Sequence, residues 1–467
     1  MKLSDIRAAL EELSLHPSKS LGQNFLADTN MARWTVEQLE LSRKDHVVEI
    51  GPGLGALTEF AGPACGSMTL IEKDARLAGW LEARFSGDAS VTVLHEDALE
   101  YDVRAAFPKM PAKLLGNLPY YVTSSILFRY GDDPSPFSRM VLTIQREFAE
   151  RLAAGPRTKA YGALTLLVQR RWEVKYLRTI PASVFMPRPK VESAAILLTP
   201  RPPGALGDCD ARRFTALVKQ GFSQRRKQLR KLLGEADWAQ TARALGVSEM
   251  ARAEELSLAQ WVELANRANP GNPGGALQSL AQDVHGEMFD VVDENDRVLR
   301  RASRHDVHKN HWRHRAVHIF VFNRAGELFL QKRSRWKDAH PSRWDSSAAG
   351  HVNAGDDYQQ TAIREVGEEL GALVDRVELL ASIDANSMTG WEFVHLFRAG
   401  HEGPFKLPPA EIETGAFFPI PVIKEWIARR PEDFATGFLE SFGRWEKAGA
   451  DQSSPSRSGP GDGASMI

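Results

Sequence analysis

A chain of 467 residues is too long for one compact core and predicts two or more domains. With 43% hydrophobic and 25% charged residues it reads as globular, and no apolar run approaches the roughly 20 residues that span a bilayer. A formal charge of −1 excludes a globally basic nucleic-acid binder, and Cys65 and Cys209 are too few for a disulfide framework.

Residues 3–15 carry apolar positions at helical spacing and predict a short amphipathic helix. Lys2, Asp5 and Arg7 are charged and no apolar signal region accompanies them, so the expected location is the cytoplasm. In KSLGQNFLAD, Lys19 and Gly22 suit a loop close to an anion. Gln23, Asn24 and Phe25 then place polar side chains beside an aromatic.

His46 to Phe60 reads as an apolar strand, a glycine turn at Gly51-Pro-Gly53-Leu-Gly55 and the start of a helix. Glycine lets backbone pass close to a ligand, and the helix N-terminus offers free N–H groups. The next strand, Met68 to Ile71, ends at Glu72, whose carboxylate can accept both hydroxyls of a ribose. A third strand, Val91 to Leu94, precedes Asp97, which can take the amino group of an adenine ring. Strand, glycine turn, helix, strand and acid form the doubly wound nucleotide pattern. The turn lacks the third-glycine spacing of the dinucleotide fingerprint, which favours S-adenosylmethionine over NAD.

Gly116-Asn117-Leu118-Pro119-Tyr120 follows the apolar run at Leu114 and Leu115. The Asn117 amide oxygen and the Leu118 carbonyl can each accept a hydrogen bond from an exocyclic NH₂, and the Tyr120 ring can stack on the base. Pro119 stiffens the turn and adds no donor. Accepting both hydrogens localises the lone pair of an adenine amine towards an incoming methyl, so positioning and electrostatics supply the catalysis.

After Pro202 to Gly204, residues 211–267 read as helices. Gln224 to Lys231 is basic on a helix backed by Leu229, Leu232 and Leu233, which leaves Arg225, Arg226, Arg230 and Lys231 to face RNA phosphates.

The motifs KSLGQNFL, VVEIGPGLGALT, IEKD, EDAL, GNLPYYVTSSIL, VFMPRPKVESAAILL and FSQRRKQLRKLL, in this order, resemble the ribosomal RNA adenine dimethyltransferase family, in particular its bacterial small-subunit branch. The resemblance runs from about Lys19 to near Ala268. It implies that Asn24, Leu26, Gly51, Glu72, Asp97 and Asn117 contact S-adenosylmethionine. By the same resemblance Asn117, Leu118, Pro119 and Tyr120 hold the target base, and Phe185 stands where a second aromatic lies near it. Leu21 replaces a common Phe, and Tyr121 a common Asn.

Asn269 to Gly275 is a linker by composition. Arg315 to Asn323 and Gly326 to Ser334 read as a hairpin. In Gly350 to Ala372, Glu365, Glu368 and Glu369 share one helix face, where three carboxylates repel unless a hard cation such as Mg²⁺ or Mn²⁺ lies between them. This segment resembles the Nudix hydrolase box, with Asp356 where the first Glu is usual, so Asp356 joins the expected metal set. The histidine-rich approach His308 to His314 and WDSSAAGHV look like the branch that includes isopentenyl-diphosphate isomerase. That resemblance implies a second metal at His314, His351 and Glu392. Ala349 stands where the isomerase has its catalytic Cys, so diphosphate hydrolysis is expected rather than isomerisation.

The expected architecture is thus an α/β, Rossmann-like methyltransferase domain (1–203), a helical RNA-binding lobe (204–268) and a linker (269–281). An α+β Nudix domain (282–447) and a disordered Ser/Gly/Pro-rich tail (448–467) follow. The expected function is N6-dimethylation of adenosines in small-subunit 16S ribosomal RNA within a pre-30S particle during ribosome biogenesis. A diphosphate-containing small molecule is expected at the second domain, and no membrane. Three alternatives stand beside this. A large-subunit enzyme of the erythromycin-resistance type is opposed by the full-length basic helix and the PKVES run. An assembly factor that has only kept the fold is opposed by the intact Asn117 to Tyr120. A non-catalytic Nudix sensing module is opposed by three acids in register and favoured by Asp356.

Overall fold

The computed structural model describes residues 1–17, 23–202, 205–206, 209, 211–224, 226–233, 238–267, 287–337, 339–408 and 410–452. Two compact units divide after Gly275. The expected linker at 269–281 lies outside the described residues, as do Lys19, Gly22 and Arg225.

The first unit is built on strands β1 (Phe25–Leu26), β2 (His46–Ile50), β3 (Ser67–Glu72), β4 (Val91–His95), β5 (Ala112–Asn117), β6 (Phe137–Gln145), β7 (Trp172–Ile180), β8 (Phe185–Met186) and β9 (Ser193–Pro200). Seven of them form one sheet in the order β4-β3-β2-β5-β6-β9-β7. The five from β4 to β6 run parallel, and β9 and β7 close the edge antiparallel. Consecutive strand residues fall into different cores: Val47, Leu115 and Val141 on one face, Val48, Leu114 and Leu142 on the other. A strand apolar on both faces needs cover on both, which explains the near-continuous hydrophobic runs. The expected N-terminal helix spans Leu3–Glu12 and packs Ile6 and Leu10 on Phe25, Leu54 and Leu77.

The helical lobe has its own core around Phe214, Val218, Leu229, Trp238 and Trp261. Here one expectation is corrected: the basic run is not one helix. The helix Ala211–Gly221 ends where Gly221 abuts the Trp261 ring so closely that a Cβ would meet it at 2.5 Å. The chain then turns, Gln228 forms a β-bridge with Arg252, and the Leu229 N–H donates to the Ala251 carbonyl (2.9 Å). Only a five-residue helix, Leu229–Leu233, follows. Backbone groups taken by a neighbouring segment cannot serve a helix as well. The exposure pattern survives, with Leu229 buried and Arg226, Arg230 and Lys231 exposed.

The second unit carries β10 (Met288–Val292), β11 (Val298–Ser303), β12 (His314–Phe322), β13 (Leu328–Arg333), β14 (Trp344–Asp345), β15 (Ala348–His351), β16 (Glu378–Ile383), β17 (Glu392–Gly400) and β18 (Ile412–Phe418). β12 and β13 do meet as a hairpin, but only through Phe322 and Leu328. Beyond that pair β12 lies between β15 and a parallel β17, and β13 between β14 and β18. Two helices close this unit, Ile420–Arg429 and Thr436–Gln452, separated at Pro431. A proline there removes a helical N–H and clashes with the preceding turn. The second helix continues through Gln452, past Ala448 where the disordered tail was expected to begin, and residues 453–467 lie outside the described residues. Among the described residues no helix is long and apolar enough to cross a membrane.

Candidate functional site

In the first unit, the C-terminal ends of β2, β3, β4 and β5 open onto one pocket, the place where parallel sheets bind ligands. Asn24, Leu26, Gly51, Glu72, Asp97 and Asn117, six residues separated by up to 93 positions, all line it. Gly51 and Gly53 have φ of +62° and +60°, and a Cβ on Gly53 would stand 3.1 Å from the Phe25 ring. The tight turn lets the Gly53 N–H donate to Glu72 Oε2 (3.1 Å), while the Asp74 N–H donates to Glu72 Oε1 (2.9 Å). Burial pushes the Glu72 carboxyl up from its ordinary value, against these two bonds. Each oxygen keeps a second lone pair for a ligand hydroxyl.

Lys73 Nζ lies 2.6 Å from Asp97 Oδ2, and the Leu99 N–H donates to Asp97 Oδ1 (2.9 Å). Those bonds, the lysine's first, hold the Asp97 carboxyl below its usual range, so it is an acceptor at neutral pH. Ala98, Leu99, Val122 and Ile126 add an apolar wall beside it.

Asn117 ends β5, and its Nδ2 donates to the Asn24 carbonyl (3.0 Å). That bond fixes the amide plane and leaves Oδ1 as the acceptor (the oxygen and nitrogen being assigned by this network). Leu118 is buried beneath the turn, its N–H on the Thr143 carbonyl (2.9 Å). Pro119 lines the pocket. Tyr120 is half-buried with its hydroxyl on Ser193 Oγ (2.9 Å), whereas the neighbouring Tyr121 lines the pocket and is exposed. Phe185 is 5% exposed, inside the core that contains Leu26, which makes it a packing residue here. The motifs did not single out Glu49 or Lys73 as pocket residues, whereas Tyr121 stood out as a departure from a common Asn. Glu49 is buried against Thr58 Oγ1 (2.7 Å), and burial pushes its carboxyl up to about 8. The available signal was adjacency: each lies within two positions of a motif residue.

In the second unit the helix Tyr358–Leu370 lies against β15. Gly350 faces Glu365 with no room for a Cβ, so a side chain there would displace the carboxylate. Arg364 reaches both Glu365 Oε1 and Glu368 Oε2 at 2.9 Å. Glu369 Oε2 accepts from Gln331 Nε2 (3.0 Å) and the Ala349 N–H (3.2 Å). Burial, then the neighbouring Glu369, pushes Glu365 up to about 8; burial pushes Glu369 up to about 7. Hard oxygen donors that resist ionising together fit a divalent cation, which would relieve that repulsion. Asp356, the fourth acid expected in the metal set, is exposed on the turn before the helix. Glu368, tied to Arg364, stays half outside as well.

Among the described residues, His308, His314 and His351 are the group whose ligand atoms fall within 4.8 Å of one another. Strand register brings them together: β12 places His314 opposite Glu392 of β17, and β15 delivers His351. His351 Nε2 is 3.0 Å and His314 Nε2 3.5 Å from Glu392 Oε1, and Phe289 stacks on both rings. His314 is 1% exposed and its Nε2 has no hydrogen-bond partner. Burial would push Glu392 up, but the His314 and His351 imidazoles outweigh it and hold the carboxyl well below the usual range. Burial drives His308 down to about 4, so that ring is neutral at pH 7. The expected His314, His351 and Glu392 thus meet, and His308 joins them from the helix Arg304–Lys309.

Comparison with known proteins agrees with both halves. Residues 15–270 match the family described as Ribosomal RNA adenine dimethylase, and residues 312–435 the NUDIX domain. Ribosomal RNA small subunit methyltransferase A of Ligilactobacillus salivarius is 37% identical over 56% of this chain and 93% of its own. The protein of that name from Xanthomonas oryzae pv. oryzae is 39% identical over 53% and 95%. Among solved structures, the 23S rRNA methyltransferase ErmE is 27% identical over 52% of this chain and 99% of its own, with a TM-score of 0.44. DR0079 from Deinococcus radiodurans is 26% identical over 35% and 98%, with a TM-score of 0.30.

Proposed function

We propose a function from one premise: the chain belongs to the ribosomal RNA adenine dimethylase family, through residues 15–270. The first unit dimethylates the N6 amine of adenosines in small-subunit ribosomal RNA, during assembly of that subunit in the cytoplasm. The observation that carries this reading is the pocket that gathers Asn24, Leu26, Gly51, Glu72, Asp97 and Asn117, with the Asn117 amide aimed by Asn24. When bound there, S-adenosylmethionine supplies an electrophilic methyl group. Glu72 accepts the ribose hydroxyls, Asp97 the adenine amine, and the glycine turn gives the backbone close approach. Asn117 Oδ1 and the Leu118 carbonyl accept the two hydrogens of the target amine, and Pro119 and Tyr120 hold its base. The test is methyl incorporation into undermethylated small- and large-subunit particles assayed side by side. Two methyl groups per modified adenosine are expected in the small subunit; incorporation only into the large subunit would transfer the assignment there.

RNA is held by Arg226, Arg230 and Lys231, with Arg225 beside them in sequence. Exposed basic side chains are ready phosphate ligands, so their loss shows in salt dependence. Arg226→Glu combined with Arg230→Glu should lower the log–log salt slope of RNA binding by about two units and leave S-adenosylmethionine affinity unchanged. An unchanged slope would make this face an ordinary solvated one.

The second unit hydrolyses a diphosphate-containing small molecule. Glu365, Glu368 and Glu369 would hold Mg²⁺ or Mn²⁺, which would neutralise diphosphate charge and make a bound water more acidic. Arg364 orients Glu365 and Glu368, and Gly350 keeps the space that Glu365 fills. The imidazoles around the Glu392 carboxylate form a donor set for a transition metal, which makes His308, His314, His351 and Glu392 a second metal position.

A further inference from the structure

The pocket of the first unit has an apolar wall drawn from the EDAL and GNLPYYVTSSIL stretches. Ala98, Leu99, Val122 and Ile126 belong to one apolar cluster, and the Asp97 carboxylate stands at its edge. A flat apolar slot with one acceptor at the rim suits a purine that carries an exocyclic amine. Tyr121 precedes Val122, lines the same pocket and is 59% exposed. The preceding Tyr120 is not among the residues that line this pocket, and its hydroxyl is tied to Ser193 on β9.

We propose that Tyr121 is a binding determinant for the methyl donor, its ring covering the adenine that enters between the Ala98–Leu99 wall and Val122. This rests on the reading of the pocket as the S-adenosylmethionine site. It goes beyond that reading by giving this chain a second aromatic contact, where a residue of the family's commoner type, Asn, has no ring to offer. The ring acts on cofactor affinity, and the target base is left to Tyr120. Stacking of a base on an aromatic side chain contributes enough to change affinity about tenfold.

The experiment is titration calorimetry of the full-length protein with S-adenosylhomocysteine and, separately, with adenosine. Tyr121→Ala and Tyr121→Asn should each weaken both ligands about tenfold, because the lost contact is with the adenine that both share. Tyr121→Phe should bind within about twofold of wild type, since the ring and not the hydroxyl makes the contact. An exposed side chain should be replaceable without loss of fold, and equal melting temperatures check this. Wild-type affinity in Tyr121→Ala, with a raised KM for RNA instead, would overturn the proposal and move the ring to the RNA side. A Phe variant as weak as the Ala variant would also overturn it. Failure of the underlying reading looks different: there wild type itself does not bind S-adenosylhomocysteine, or Glu72→Ala binds it as tightly as wild type.

Discussion

Asn117→Ala is expected to lower the rate of methyl transfer by about 10²–10³-fold, the usual loss when one preorganised polar contact to a reacting group is removed. The physical reason is the hydrogen bond from Asn117 Nδ2 to the Asn24 carbonyl, which leaves Oδ1 alone to receive an amine hydrogen. Alanine removes that acceptor, and the nitrogen lone pair stays delocalised into the ring. The cofactor should be affected much less, by under about tenfold, because Glu72, Asp97 and the glycine turn remain. Asn117→Asp separates the two parts of the role. It keeps an acceptor but loses the donor to Asn24, and its charge faces a carbonyl oxygen, so an intermediate rate is expected. The measurement is single-turnover methylation of undermethylated small-subunit particles beside calorimetry with S-adenosylhomocysteine. Near-wild-type turnover by the alanine variant would remove Asn117 from the chemistry.

Glu369→Gln should reduce diphosphate hydrolysis by about 10³-fold, since the metal that it would help to hold contributes several kcal/mol to charge stabilisation. The same change has an opposite effect on the metal-free fold. Glu365 and Glu369 are pushed up to about 8 and about 7, above the ordinary 4.5. A carboxyl raised in the folded state keeps its proton there after the unfolded chain has lost it. Its stabilising contribution is therefore present at low pH and lost as pH rises from about 4.5 through about 8. Without metal, the variant should melt at the wild-type temperature near pH 5 and above it at pH 8. The glutamine oxygen can still accept from the Ala349 N–H and Gln331. Added Mg²⁺ or Mn²⁺ should raise the wild-type melt at pH 8 more than that of the variant. Metal analysis separates the two centres, because Glu392→Gln should release a metal that survives Glu369→Gln. If no nucleoside, sugar, dinucleotide or prenyl diphosphate is cleaved, and metal does not move the melt, the hydrolase reading falls.

The two sites also show where reading a sequence succeeds. A ligand pocket at the end of a parallel sheet is assembled from residues that each sit at a strand end, and strand ends are written locally. The apolar run before Gly51, the one before Glu72 and the pair Leu114 and Leu115 before Asn117 each announce a strand and its last residue. Parallel pairing with aligned ends then brings all three to one place. The acids of the second unit are legible for the same reason, since a helix places residues three and four apart on one face whatever surrounds it. Asp356 lies outside any regular element, and there spacing could not say where its carboxylate would go.

By itself, then, the sequence determined the division in two, the strand ends that line one pocket and the acidic helix, because short-range periodicity and glycine or proline geometry encode each of them. Tertiary structure decided the rest. It tied the Tyr120 hydroxyl to Ser193, 73 positions away, and left Tyr121 facing the pocket. It broke the basic run into a turn and a short helix, because Ala251 and Arg252 claim the backbone at Gln228 and Leu229. It gathered His308, His314, His351 and Glu392 through the register of β12 with β15 and β17. In each case the deciding partner is distant in the chain, so burial and strand register, which no local pattern encodes, set which side chains meet.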